Sequence, residues 1–184
     1  MDEEKIREGV KLILEGIGEN PDRPGLKETP DRVAHLYREL FSGVGYVAGG
    51  EEVHLFECSS SSAPIIVRGL WFHSMCEHHL LPFWGRVDVA YLPRDGKVIG
   101  FSDLSHLVKR LSGKPQLQEI FTEELADVLM ETIRPEGLLV KVKATHMCMM
   151  LQGEKERSAT ATTLAYRGAM NQKENRQEVL ALLK

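Results

Sequence analysis

Two short stretches that contain cysteine and histidine constrain the fold of this chain most strongly, because together they would have to build one site. The first stretch is Met75-Cys76-Glu77-His78-His79 and the second is Ala144-Thr145-His146-Met147-Cys148. They hold two of the three cysteines and three of the seven histidines. Thiolate sulfur and imidazole nitrogen are the ligands that zinc prefers in proteins. The pattern therefore predicts a zinc site that joins two distant parts of the sequence.

The predicted zinc ligands are Cys76, His79 and Cys148. Cys76 and His79 are three positions apart, so one tight turn would let both side chains point at the same ion. The alternation of apolar residues predicts a strand through the second stretch, with His146 and Cys148 on one face and Met147 on the other. Three protein ligands leave a fourth position for water, which is typical of a catalytic zinc site. The alternative is that these cysteines and histidines are ordinary core residues that bind no metal. Their occurrence in two separate stretches favours the metal site.

The composition and charge of the chain are those of a soluble protein with one main domain. Of its 184 residues, 42% are hydrophobic, and the formal net charge is −4. No basic tail or arginine-rich run is present, so we expect no nucleic-acid partner. Three cysteines cannot pair completely, and we expect Cys58 to be a bystander in a reducing cytoplasm. The acidic N-terminus lacks a secretory signal and no apolar run could span a bilayer, so we expect no membrane partner.

Residues 1–50 are predicted to form a helical arm ahead of a catalytic domain that spans residues 51–184. Apolar residues at helical spacing predict two helices in the arm, the first over residues 2–17. The second helix is predicted to start with Thr29 as its N-cap and Pro30 at its first helical position. Glycine-rich and polar sequence predicts a linker or loop between the arm and the first strand of the catalytic domain.

The catalytic domain is predicted to follow the order β-β-α-α-β-β, with a further helix at the C-terminus. Its strands and helices are expected at residues 64–73, 84–92, 103–111, 116–133, 138–149, 158–166 and 173–183. Either Ser102 or Asp103 is the predicted N-cap of the first of these helices. This order predicts an α+β fold in which two helices cover one face of an antiparallel four-stranded sheet. The open face and edges of that sheet predict assembly of several chains into a closed sheet, a solvated monomer being the alternative.

Six motifs along the chain occur together, in this order and spacing, in a known enzyme family. They are Arg23-Pro24-Gly25-Leu26, Thr29-Pro30-Asp31-Arg32-Val33, Cys76-Glu77-His78-His79, Val98-Ile99-Gly100-Phe101-Ser102, Pro115-Gln116-Leu117-Gln118-Glu119 and His146-Met147-Cys148. On these motifs the chain resembles GTP cyclohydrolase I, from about Ile6 to its end. The resemblance implies a T-fold subunit whose strands join those of its neighbours into a barrel, and a homodecamer with active sites at subunit junctions. It also implies a hydrolase of pterin biosynthesis, which converts GTP and water to formate and 7,8-dihydroneopterin triphosphate.

The resemblance assigns metal binding and proton transfer to the two stretches that contain cysteine and histidine. Cys76, His79 and Cys148 match the family's zinc ligands, which implies that zinc activates the water that attacks carbon 8 of the purine. His78 and His146 match its proton-transfer histidines. The ordinary pKa of histidine lies near neutral pH, as acid–base chemistry on ring nitrogens requires.

Three further motifs are implied to contact the substrate. Ser102 and Gln118 match positions that line the site around the ribose and the purine, and we expect both to contribute to catalysis as well as to binding. Glu119 matches the residue that recognises guanine, because a carboxylate can accept hydrogen bonds from the ring N–H and the exocyclic amine. Without the resemblance, Glu119 would be interpreted as a solvated charge on a helix. Arg32 matches one of the basic residues that hold the triphosphate.

The triphosphate subsite departs from the family pattern at three positions that are typically basic. This chain has Asp103, His106 and Gln152 there, and a carboxylate would repel phosphate that arginine binds well. Three hypotheses stay open. They are a GTP cyclohydrolase with a rearranged phosphate clamp, the same ring opening on a guanine nucleotide or nucleoside with fewer or no phosphates, and a non-catalytic regulatory paralogue. The basic residues that could rebuild the clamp are Lys109, Arg110, Lys155 and Arg157.

Overall fold

The computed structural model describes most of the chain, at residues 1–47, 53–58, 63–151 and 158–183. The chain divides into two compact units, residues 1–42 and residues 43–184. Three residues that the sequence associated with the phosphate subsite, Gln152, Lys155 and Arg157, lie outside the described residues. Within the described ranges, no helix combines the length and the apolar character needed to span a membrane.

The first unit is built from two helices, α1 (Glu3–Gly16) and α2 (Thr29–Leu40). Asp2 caps α1, because its carboxylate accepts a hydrogen bond from the Lys5 backbone N–H at 3.1 Å. Arg7 on α1 forms an ion pair with Asp31 on α2, with 2.6 Å between nitrogen and oxygen. The two helices predicted for the arm are therefore present and are packed against each other.

A five-stranded sheet forms the centre of the second unit. The strands of this unit are β1 (Leu55–Glu57), β2 (Ile65–Cys76), β3 (Pro82–Leu92), β4 (Lys97–Ile99), β5 (Pro115–Gln116), β6 (Gly137–His146) and β7 (Ala161–Gly168). The sheet has the order β5-β2-β3-β6-β7, and β1 pairs with β4 in a separate antiparallel ribbon. The neighbours β2, β3, β6 and β7 are antiparallel, which confirms the predicted four-stranded arrangement. β5 adds a two-residue strand parallel to the end of β2, where Gln116 is the partner of Cys76.

Two helices cover one face of this sheet, as the sequence predicted. The helices of the second unit are α3 (Phe101–Ser112), α4 (Gln118–Ile133), the short α5 (Met147–Leu151) and α6 (Lys173–Leu182). α3 packs on β2, and α4 packs on β6 and β7. The helical stripe of α4 and alternate strand residues are fully buried in this layer, where each large apolar side chain contributes roughly 1.5–3 kcal/mol. These residues include Val87, Val89, Tyr91, Phe121, Leu125, Leu129, Leu138, Val140 and Val142.

The opposite face of the sheet is partly covered, whereas the sequence predicted that it would be open. The C-terminal helix α6 contributes Val179 to a second buried cluster that includes Leu139 of β6 and Met170. Trp71 lies on the same face but remains 48% exposed, under the guanidinium of Arg86 at 5.2 Å. The prediction of an open face therefore holds only for the part of the sheet that α6 does not reach.

Two predicted helix starts were wrong by one or two residues. Thr29 is the first helical residue of α2, and Glu28 is its N-cap without a side-chain capping bond. Gly100 is the N-cap of α3, so Ser102 and Asp103 lie in the first turn of the helix instead of at its cap. In both cases the chain becomes helical ahead of the polar residue that would have capped it.

Two strand predictions were also wrong. The segment before β2 was predicted to be a loop, but β1 forms there because it can pair with β4. The last predicted strand but one was expected to continue beyond Cys148, whereas β6 ends at His146 and Cys148 belongs to α5. Pairing with β7 stops at Ala144 opposite Ala161, and pairing with β3 stops at His146 opposite Phe83. Beyond those residues a strand would have no partners for its backbone N–H and C=O groups, so a helical turn satisfies them.

Candidate metal centre and active site

A tight turn after β2 places the first two predicted ligands side by side. The Cys76 carbonyl accepts hydrogen bonds from the backbone N–H groups of His79 at 3.4 Å and Leu80 at 2.8 Å. The Cys76 N–H donates to the Leu81 carbonyl at 2.8 Å, and Leu80 closes the turn in a left-handed conformation with φ of 51°. As a result, His79 Nδ1 lies 3.6 Å from the sulfur of Cys76.

Cys148 reaches the same place from β6, which ends beside the start of β3 at the same end of the sheet as β2. β6 runs beside β3 up to His146, and the first turn of α5 then carries Cys148 to the turn after β2. The ligand atoms of Cys76, His79 and Cys148 all lie within 4.8 Å of one another. Zinc bond lengths place two sulfur ligands of a tetrahedral site about 3.7 Å apart. The three side chains could therefore hold one metal ion after small side-chain adjustments.

The electrostatics of the cysteine pair also suit a cation. Burial raises the pKa of the Cys148 thiol, and the neighbouring Cys76 raises it further. Two thiols this close cannot both ionise easily without a positive charge between them. A divalent metal ion supplies that charge and binds the thiolate form, so the donor set fits a thiolate-binding metal such as zinc.

His146 lies at the end of β6 in a partly buried position. Its ring stacks on Phe83, with centroids 4.5 Å apart and planes within 4° of parallel. Its Nε2 atom lies 2.8 Å from Oε1 of Gln118, the first residue of α4. Burial lowers the pKa of His146, and the carboxylate of Glu119 partly opposes that shift. His146 is thus held in one orientation, and Glu119 is close enough to act on its charge.

Gln118 is almost fully buried, at 2% exposure, and its side chain contacts two strands, β6 and β7. Its Nε2 lies 3.2 Å from the Val142 carbonyl of β6, 3.3 Å from the Ala161 carbonyl of β7 and 3.1 Å from the Thr163 hydroxyl. Sequence reasoning missed both Thr163 and the stacking of Phe83. The sequence signal for Thr163 was the run of threonines in the last strand. The position of Phe83 opposite His146 is given by the strand register of the structure.

His78 and Glu119 are exposed at the edge of this cluster. His78 lies in the turn after β2, where its ring contacts that of His79 edge-on at a centroid distance of 6.1 Å. Its Nε2 atom is 4.0 Å from the carboxylate of Glu77. His78 does not belong to the group of three possible ligands, and its role in proton transfer stays a prediction.

The predicted residues on α3 lie in a different environment. Ser102 is exposed in the first turn. Asp103 Oδ2 accepts a hydrogen bond from the His54 backbone N–H at 2.8 Å and lies 3.1 Å from Nδ1 of the same residue. The backbone N–H of His54, then its ring, lower the pKa of Asp103, and His106 adds a smaller effect in the same direction. Across the described residues, no hydrogen bond or ion pair joins this turn to the cysteine and histidine cluster.

Arg32, the remaining predicted residue, lies on α2 in the helical unit. Its guanidinium forms an exposed ion pair with Glu28 at 2.6 Å. Such exposed pairs contribute little to stability, so this contact would not prevent Arg32 from binding another anion. Its role in substrate binding stays a prediction.

Comparison with known proteins independently supports the resemblance to GTP cyclohydrolase I. The chain matches the family described as GTP cyclohydrolase I over residues 6–184. It is 48% identical over 168 residues to GTP cyclohydrolase 1 of Clostridium perfringens, which covers 91% of this chain and 90% of that protein. It is 45% identical over 184 residues to GTP cyclohydrolase 1 of Caldanaerobacter subterraneus, covering 100% of this chain and 97% of that protein.

Among solved structures, the archaeosine synthase QueF-Like in its apo form is similar, with a TM-score of 0.45 and 22% identity. That alignment covers 60% of this chain and 97% of the QueF-Like chain. The family match and the near full-length relatives do not depend on it. This chain therefore belongs to the GTP cyclohydrolase I family, and its α+β unit has the T-fold.

Proposed function

We propose that this protein is a zinc-dependent cyclohydrolase, which opens the imidazole ring of GTP to give formate and 7,8-dihydroneopterin triphosphate. The observation that carries the proposal is the agreement of two facts. Relatives that share 45–48% of the sequence over 90% or more of their length are named GTP cyclohydrolase 1. Among the described residues, three that could bind a metal also lie together, with His78 beside His79 and His146 two residues before Cys148. We assign catalysis to residues 51–184 and place the reaction in the cytoplasm.

Cys76, His79 and Cys148 would hold the zinc ion. Two thiolates and one imidazole form a soft donor set, and three protein ligands leave a coordination position open. When bound, zinc supplies Lewis acidity, which lowers the pKa of water and yields a nucleophile at neutral pH. The protein contributes the turn after β2 and the start of α5, which hold the three side chains in position.

His146 and His78 would transfer protons. Burial lowers the pKa of His146, so its ring is neutral at neutral pH and can accept a proton. Phe83 and Gln118 hold that ring in one orientation, which removes the need to order it during the reaction. His78 is exposed, with its Nε2 atom 4.0 Å from the carboxylate of Glu77, so a bound substrate could reach its ring.

Glu119 and Ser102 would contact the substrate. Glu119 lies exposed in the first turn of α4, directly after the residue that holds His146. Its carboxylate can accept two hydrogen bonds from guanine, which adenine cannot donate. Ser102 offers an exposed hydroxyl on α3, and among the described residues no hydrogen bond or ion pair connects it with the metal cluster. The family resemblance implies a homodecamer, and we propose that α3 of one subunit completes the site of another.

The oligomer is tested by light scattering at micromolar concentration. We expect a single species whose mass is ten times the 20.7 kDa of the chain. The sheet edges at β5 and β7 would then be covered by neighbouring chains, as exposed edges in stable proteins usually are. A stable monomer under these conditions would rule out the shared site and leave Ser102 without its proposed role.

A second candidate is the same ring opening on a guanine compound with fewer or no phosphates. The observation that favours it is Asp103, a carboxylate at a position where the resemblance implies a cation. The contacts with His54 weaken this argument, because they engage one carboxylate oxygen and direct it toward the residue that precedes β1. We therefore place GTP first.

The discriminating experiment is a substrate panel of GTP, GDP, GMP, guanosine and guanine. Turnover is followed by formate release and by pterin fluorescence, with the Cys148→Ala protein as the blank for contaminating enzyme. We expect GTP to have the highest kcat/KM. A higher kcat/KM for GMP or guanosine would establish the second candidate. No turnover of any compound by the zinc-loaded protein would instead indicate the non-catalytic paralogue.

A further inference from the structure

A closed circuit of hydrogen bonds surrounds the side chain of Gln118. It runs from the Gln118 backbone carbonyl through the hydroxyls of Thr122 and Thr163 to the Gln118 amide nitrogen, and then from the amide oxygen to His146. The oxygen–oxygen distances are 2.7 Å from Thr122 to the carbonyl and 2.6 Å from Thr122 to Thr163. Gln118 and Thr122 are 2% and 1% exposed, so both side chains are shielded from water, and Thr163 is partly buried.

The direction of each bond in the circuit follows from the number of protons available. Thr122 has one hydroxyl proton, and it donates this proton to the Gln118 backbone carbonyl, which can only accept. The 2.6 Å contact between the two hydroxyls therefore needs the proton of Thr163. Thr163 has then used its only proton, so its oxygen must accept from the Gln118 amide nitrogen at 3.1 Å.

Two backbone carbonyls fix the same orientation of the Gln118 amide. The Val142 and Ala161 carbonyls lie 3.2 Å and 3.3 Å from the amide nitrogen, and both can only accept. If the amide were rotated, its oxygen would face the two carbonyl oxygens and the Thr163 oxygen, none of which has a proton to donate to it. The amide oxygen must therefore face His146, whose Nε2 then carries the proton that this 2.8 Å bond requires.

We propose that Thr163 and Thr122 are positioning residues, which hold the Gln118 amide so that His146 carries its proton on Nε2 and keeps Nδ1 as its proton-accepting atom. The effect on catalysis rests on the proposed function, because His146 is the proposed proton-transfer residue. It also changes the expected role of Gln118. Its amide makes protein contacts through both of its polar atoms and is buried, so Gln118 positions His146 and does not contact the substrate.

The test compares two threonines that are neighbours on β7. Thr163→Val keeps the shape of the side chain but removes the acceptor for Gln118 and the donor to Thr122. We expect kcat to fall about three- to tenfold, the loss that one net hydrogen bond implies, with KM and zinc content unchanged. Thr162→Val is the matched control, because Thr162 lies exposed on the opposite face of the strand. Thr163→Ser restores the hydroxyl and should recover most of the kcat.

The ring tautomer of His146 gives a second readout that does not depend on turnover. In protein labelled with nitrogen-15 histidine, the signals of His146 are those that disappear in His146→Gln. We expect the parent ring to be protonated on Nε2, and Thr163→Val to populate the Nδ1-protonated form as well. If Thr163→Val does not fold, Thr163→Ala takes its place, since it removes the same hydroxyl and adds no bulk.

The outcomes separate this inference from the proposed function. A parent protein that shows the Nε2 tautomer but releases no formate from GTP would refute the function and leave the positioning intact. A parent ring protonated only on Nδ1 would overturn the positioning, whatever the activity. An active parent whose kcat and tautomer are both unchanged by Thr163→Val would overturn it too, as would a kcat loss that Thr163→Ser does not recover.

Discussion

The surroundings of His146 and the first turn of α3 differ in how completely one chain satisfies their polar groups. Around His146, a stacked ring, a buried amide and two hydroxyls form a network in which nearly every donor has an acceptor. At the start of α3, Ser102 and His106 are exposed, and the carboxylate of Asp103 contacts His54 and lies near His106.

The difference indicates which part of the reaction each region serves. Proton transfer needs atoms held within tenths of an ångström, and a buried network of short bonds provides that. Recognition of a charged, flexible triphosphate needs exposed groups that become ordered when the ligand binds. We infer that the chemistry of ring opening is organised within one subunit, and that substrate recognition is completed by the ligand and by other subunits.

Removal of a metal ligand should have the largest effect on the organised region. We expect Cys148→Ala to lose most of its zinc and to reduce kcat/KM by at least about a thousandfold, because the Lewis acid and the nucleophile are lost together. Metal analysis of the purified protein measures the zinc per subunit. Cys58→Ala is the control, since Cys58 is exposed and is not a member of the three-residue group. Full zinc occupancy in Cys148→Ala would show that the ligand set is wrong.

Removal of His146 should separate proton transfer from metal binding. We expect His146→Ala to keep its zinc and its oligomeric state, and to lose about a hundred- to ten-thousandfold in kcat, which is the usual contribution of a positioned acid or base. His35→Ala, an exposed histidine of α2, should leave kcat unchanged. Loss of zinc from His146→Ala would mean that His146 is a ligand, and the division between the two roles would then fail.

The helices and the main strands could be predicted from the sequence because their signals are local. The apolar stripe of α4 repeats at helical spacing, and Phe121, Leu125 and Leu129 are fully buried, although Ile120 of the same predicted stripe is 51% exposed. The strand alternation also extended through Cys148, but the chain becomes helical after His146. That boundary depends on where β3 and β7 stop pairing, and pairing between distant segments leaves no local signal.

The candidate site was predictable to a similar degree. The three possible metal ligands stand out by residue type and do lie together, although Cys148 reaches the others from a helix and not from a strand. The partners of Gln118 could not be predicted, because they are carbonyls and a hydroxyl contributed by β6 and β7. Backbone carbonyls have no residue type, so no sequence pattern identifies them. The motif Pro115–Glu119 identified Gln118 as a site residue but did not show that it contacts His146.

The smallest expected effect concerns the exposed region, where Asp103 can be changed without loss of its structural contact. The amide oxygen of Asp103→Asn can still accept a hydrogen bond from the His54 N–H, so β1 and α3 should stay joined. The substitution removes one negative charge near the proposed phosphate subsite. If that charge repels the triphosphate by about 1 kcal/mol at partly screened distances, KM for GTP should fall about two- to fivefold. KM for guanosine, which has no phosphate, should not change.

The ratio of kcat/KM for GTP to that for guanosine measures this effect in each protein. Asp95→Asn is the matched control, because Asp95 is an exposed acid in the turn between β3 and β4, where asparagine tolerates the left-handed backbone at φ of 54°. An equal ratio in the parent and in Asp103→Asn would mean that this carboxylate does not repel the triphosphate. In that case the first turn of α3 would be a structural joint with β1, and the phosphate contacts would have to come from other basic residues, such as Lys109 and Arg110.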